Sequence, residues 1–192
     1  MIVTERFAQV EVTSVMGLRE WLMSNHTQAD SIWLVTFKKH VPDRYVSVDE
    51  VLDELLCFGW IDGIRRKLDA DRTMQLVSPR RHQVWAKTYK DRAARLIKDG
   101  RMMPEGLAAI AASQRDGLWD AMADVDALIV PPDLEAALAA HPSAAEWFAA
   151  AAPSYRRNVL RWIKTAKTAL TRDRRIAITV DHAVRGEKVP QM

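Results

Sequence analysis

Apolar residues recur at helical spacing across residues 14–25, where Val15, Leu18, Trp21 and Leu22 share one face and predict an amphipathic helix. The pattern then changes to a β-branched and aromatic run, Ile32, Trp33, Val35, Thr36 and Phe37, which predicts a strand over residues 31–38. Ser47 with Glu50 three residues later reads as a capping box. The helix it opens carries Val48, Val51, Leu52, Leu55 and Leu56 as its buried stripe, and Gly59 stops it. Residues 61–68 and 72–77 predict two strands joined by the turn Asp69, Ala70, Asp71, with Ser78 and Pro79 ending the second. Thr88 with Asp91 predicts the N-terminal cap of a helix running to Gly100, and Pro104 opens another that ends near Gly117.

Beyond Pro131 every signal is helical. Pro132 opens a short helix broken by His141 and Pro142, Ser143 with Glu146 predicts a second capping box, and Pro153 interrupts again. Residues 154–167 place Tyr155, Val159, Trp162, Ile163 and Ala166 on the buried side, with Tyr155, Trp162 and Ile176 expected to be enclosed. Thr171 is expected to cap a last helix that Gly186 ends. The elements predict an α+β fold: a small antiparallel N-terminal sheet with flanking helices, then an all-helical C-terminal module. The expected division is residues 1–119, a linker at 120–131 that lacks clear helical periodicity, and residues 132–192.

Composition narrows the class. The chain has 192 residues, 48% hydrophobic and 28% charged, which is too apolar for disorder and long enough for two packed modules. Residues 1–12 carry Glu5, Arg6 and Glu11 and lack the apolar stretch of an export signal, and no run is long enough to cross a bilayer. With the single cysteine, Cys57, this predicts a cytoplasmic protein without disulfides. The net charge of +3 conceals blocks. Residues 1–60 balance to −4, 61–101 to +7, 102–152 to −7 and 153–192 to +7. Either the blocks neutralise one another, with residues 102–152 lying near one or both basic blocks, or the basic blocks bind nucleic acid.

The run Cys57 to Gly63, then Ser78 to Arg81 and Trp85 to Lys87, resembles the YdeI/OmpD-associated, or bacteriocin-protection, family of bacteria. The C-terminal groups Pro132–Leu134, Ser154–Arg156, Arg161–Ile163, Ala166 with Lys167, and Thr171–Ile176 resemble that family's helical module, so the likeness spans about Trp33 to Gly186. It implies a role in tolerance of bacteriocins, cationic antimicrobial peptides or other envelope stress, and implies no known reaction. Some relatives join such a module to a frataxin-like α+β domain. Ala86 departs from the family pattern, which has serine after the tryptophan.

No Ser/His/Asp arrangement, glycine-rich phosphate loop or metal-ligand spacing stands out, so neither catalytic residues nor a metal or other cofactor are expected. Asp49, Glu50, Asp53 and Glu54 form an acidic ridge that is either a solvated helix face or a collector of a hard cation. Cys57 follows Leu55 and Leu56 and is read as a small buried hydrophobe rather than a reactive thiol. The one feature that invites a ligand is the Trp and Arg content around the hairpin. Trp60, Asp62, Arg80, Arg81, Trp85 and Lys87 are expected to converge on a planar anion, an unidentified small molecule or a protein partner's acidic group, with Gly59 and Gly63 permitting close approach. The rival is a structural stack of arginine on tryptophan, with Asp62 pairing one arginine.

Overall fold

The computed structural model describes residues 7–190; the start of the segment read above for an export signal, residues 1–6, lies outside them. The chain folds as two compact units, the first ending at Asp120 and the second starting at Ala121.

The first unit contains strands β1 (Gln9–Glu11), β2 (Ile32–Phe37), β3 (Trp60–Lys67) and β4 (Arg72–Pro79), and helices α1 (Val15–Asn25), α2 (Val48–Cys57), α3 (Lys87–Lys98) and α4 (Pro104–Arg115). Sheet order is β1-β2-β4-β3. The β3–β4 and β2–β4 pairs are antiparallel, as expected, but β1 adds a parallel edge beside β2. Three residues, two of them polar, gave too short a pattern to announce that strand. All six residues of β2 are buried, Thr36 among them, which explains a run apolar at five of its six positions. Ile32 and Leu34 enter the core built with Leu18, Leu22, Leu55 and Leu56, whereas Trp33 and Val35 pack with Met74 in a separate cluster. This is the alternation a strand imposes.

The capping box at Ser47 and Glu50 is present, each side chain taking the other residue's backbone N–H. Gly59 follows α2 at φ +70°, a conformation that strains any residue with a Cβ. Thr88 does not cap α3. The helix begins one residue earlier, and the N-cap is Ala86, which offers no side-chain acceptor.

The second unit is α5 (Ala123–Asp126), α6 (Pro132–Ala139), α7 (Pro142–Ala150), α8 (Pro153–Lys164) and α9 (Ala169–Val184). Its core includes Leu134, Phe148, Tyr155, Val159, Ile163 and Ile176, together with Met122 and Val125 from residues 120–131. Ser143 makes no cap, because Pro142 already occupies the first turn of α7 and moves the N-cap to His141. The last helix is capped by Thr168 rather than Thr171, and the Thr168 hydroxyl accepts the Thr171 N–H. Trp162 is only half-buried, its ring covered by the Arg175 guanidinium 5.2 Å from its centre, so the expected enclosure holds for Tyr155 and Ile176 but not for Trp162.

Ion pairs join the charge blocks within each unit. In the second, Lys164 meets Asp124 and Arg172 meets Asp133, both at 2.5 Å, which joins the acidic block at 102–152 to the basic residues after it. In the first, Arg72, Arg92, Arg95 and Arg101 face carboxylates of residues 1–60. Among the described residues no helix is long and apolar enough to cross a membrane.

Candidate functional site

The hairpin closes as its turn predicts: Trp60 opposes Pro79 and Asp62 opposes Val77, and the Arg80 N–H donates to the Gly59 carbonyl at 2.8 Å. Arg80 thereby leaves β4 beside the start of β3. The residue is only 8% exposed. The guanidinium carbon stands 4.0 Å from the centre of the Trp85 ring and 5.2 Å from that of Tyr89. Nη1 donates to the Gln83 carbonyl at 3.3 Å, whereas Nε and Nη2 are buried and have no hydrogen-bond partner. Burial pulls its pKa down to about 10, against the opposing pull of Tyr89 and Asp62, so the group is still a cation at neutral pH.

Asp62 pairs with no arginine among the described residues. One of its oxygens accepts the Tyr89 hydroxyl in a very short hydrogen bond, and the other accepts from Gln75 Nε2 at 3.0 Å. Gln75 in turn receives Arg65 Nη2 at 2.7 Å. Burial, then the hydrogen bond to Asp62, push the Tyr89 phenol well above its ordinary range and keep it a proton donor. Trp85 is fully buried, donates to the Ser113 hydroxyl at 2.6 Å and packs 4.8 Å from Trp119.

Three of the six expected residues therefore gather: Asp62, Arg80 and Trp85. Trp60 is in the core, edge-on to Trp21 at 5.6 Å, with its indole N–H on the His26 carbonyl. Arg81 reaches the Ala29 carbonyl instead, and Lys87 pairs with Asp91 on its own helix. Gly59 and Gly63 admit backbone: a Cβ at the first would stand 3.0 Å from the Glu105 carbonyl oxygen, and at the second 3.2 Å from that of Leu76. Tyr89 and Gln75 join the group without having been expected there. Tyr89 shares a stripe with buried Ala93 and Leu96 at i, i+4 and i+7, a signal legible in the sequence.

The acidic ridge divides into a solvated half, Asp49 and Glu50, which are exposed, and a half held by arginines. Asp53 and Glu54 are buried at 6% and 2% exposure. Asp53 receives Arg92, Arg95 and Arg101, and Glu54 receives Arg19 and Arg101, both at 2.8 Å. Burial raises the Asp53 pKa, but the hydrogen bonds from Arg95 and Arg92 outweigh it, and the carboxyl ends below its ordinary value. Cys57 is fully buried, and burial first, then the charge of Glu54, push its thiol up, as suits a packing residue.

Two family models match the chain. Residues 10–109 match the Domain of unknown function (DUF8412), and residues 127–186 match Bacteriocin-protection, YdeI or OmpD-Associated. The resemblance expected across both units thus holds for the C-terminal part, while the motifs from Cys57 to Lys87 fall within the DUF8412 match. Neither the curated proteins nor the solved structures gave a significant match.

Proposed function

The chain belongs to the DUF8412 family and ends in a bacteriocin-protection module, and we propose that it is a non-enzymatic cytoplasmic accessory protein of bacterial envelope or antimicrobial-peptide stress tolerance that binds a small anion at Arg80. The observation that carries the binding role is the buried cation with two idle donors. Nε and Nη2 share one edge of the guanidinium plane, the edge that takes a carboxylate or phosphate in two parallel hydrogen bonds. Trp85 and Tyr89 wall the group, and the charge on Asp62 is already committed to Tyr89 and Gln75. An unpaired buried guanidinium is costly, and an anion removes that cost. Both nitrogens are shielded, so a ligand reaches them only when neighbouring groups move aside.

The test is a thermal-shift and calorimetric titration with benzoate, acetate and inorganic phosphate. Binding by the native chain and its loss in Arg80→Met, with stability retained, is the expected result. An equal response from the variant, or none from the native chain, overturns the site. The accessory role fails separately if a deletion strain survives bacteriocin and cationic-peptide challenge as well as its parent.

A further inference from the structure

The second unit carries an open groove of about 630 Å³ between α6 and α9. Its floor is apolar: Ala137 of α6 and Ile176, Ala177, Val180 and Val184 of α9. The α9 residues recur at spacings of three and four, so they form one stripe, and Val184 is 47% exposed. From Asp173 to Val184 that stripe spans about 16 Å at 1.5 Å per residue, the length of three helical turns.

The rim fixes the sign of what fits. Asp133, Asp173 and Asp181 line the groove, and no lysine or arginine does. Asp133 and Asp181 make ion pairs with Arg172 and Arg185, which stand outside the lining, and Asp173 has no ion pair among the described residues. Asp181 is 65% exposed, and ion pairs so open to water hold little free energy, so an incoming cation exchanges with them readily. Asp173 and Asp181 are eight residues apart on one face, about 12 Å, so they face cations two turns apart on a partner helix.

We propose that the α6–α9 groove docks a basic amphipathic α-helix of a partner polypeptide, its apolar stripe on Ile176, Ala177, Val180 and Val184 and its flanking lysines or arginines on Asp173 and Asp181. This site is independent of the one at Arg80.

The experiment is fluorescence anisotropy of a labelled leucine/lysine peptide of about 18 residues, long enough to hold helix with leucines at helical spacing, titrated with the full chain. A leucine/glutamate peptide of the same pattern is the control. The lysine peptide is expected to bind at least about tenfold more tightly than the control, a difference of about 1.4 kcal/mol. Ala177→Arg, at an exposed position, is expected to weaken it by about tenfold or more, and so is Asp173→Asn combined with Asp181→Asn, which keeps the test open should the first variant misfold. Equal binding by the variants, or equal binding of the two peptides, overturns the proposal. So does light scattering that shows a dimer dispersed by Ala177→Arg, since the occupant is then a second copy of the chain.

Discussion

Gly106 lies against the carbonyl oxygen of Cys57 so closely that no side chain fits between them. A Cβ on Gly106 would stand 2.8 Å from the Leu56 carbonyl oxygen and 2.5 Å from the Met102 sulfur, and nearer still to that of Cys57. The two carbonyls are backbone at the end of α2 and cannot yield without moving the helix. Gly106→Ala is therefore expected to destabilise the first unit by about 1–3 kcal/mol, despite alanine's better helix propensity. Chemical denaturation read at the tryptophans checks it, and an unchanged midpoint would mean that α4 shifts freely.

Asp53 gives the first unit an acid-sensitive joint. Its carboxyl titrates lower folded than unfolded, because Arg95 and Arg92 outweigh the cost of burial. The unfolded chain thus binds the proton first. The stabilisation is complete above the unfolded value of about 3.9 and is lost as pH falls through the folded pKa. Asp53→Asn is expected to cost about 3 kcal/mol at neutral pH, the lower end for a broken buried pair, since Arg95 and Arg101 retain access to water. Melting temperatures of parent and variant should converge below about pH 4; a constant gap down to pH 2 would falsify the assignment.

Ala86 supplies a gain rather than a loss. It holds the extended backbone of an N-cap, φ −77° and ψ 154°, ahead of α3 and lacks a side-chain oxygen to accept an N–H of the first turn. Ala86→Ser is expected to add about 1 kcal/mol and to raise the melting temperature. No rise would show that water already serves those groups as well.

What the sequence revealed depended on how far apart the interacting residues lie. The capping box at Ser47 and the buried strand at Ile32 to Phe37 rest on near neighbours, and periodicity displays them. The Asp53 and Glu54 network was illegible, because its arginines come from positions 19, 92, 95 and 101 and meet only when α1, α2 and α3 pack. Arg80 is legible because a hairpin must return to its origin, but the same reasoning fails for its neighbour Arg81, whose side chain turns to the Ala29 carbonyl. Trp162 sits at the edge of its stripe, where a helical wheel does not distinguish an enclosed ring from one roofed by Arg175.

Ser113 links the stability of the first unit to the proposed anion site. Its hydroxyl accepts the Trp85 indole N–H at 2.6 Å and donates to the Ala109 carbonyl one turn back at 2.9 Å, so it orients the ring from a helix the ligand never touches. Ser113→Ala leaves the buried indole N–H without an acceptor, which costs about 1–3 kcal/mol. If Trp85 is the wall of a binding site, the loosened ring should also weaken benzoate binding to the folded protein, measured well below the variant's melting temperature. Asp62→Asn serves as a comparison, since it discharges the group beside Tyr89 without touching Trp85. Removing that carboxylate takes away a repulsion toward an incoming anion, so Asp62→Asn should tighten benzoate binding where Ser113→Ala weakens it. Calorimetry that finds both variants weakened equally would point to general loosening of the unit and against a ring-walled anion site.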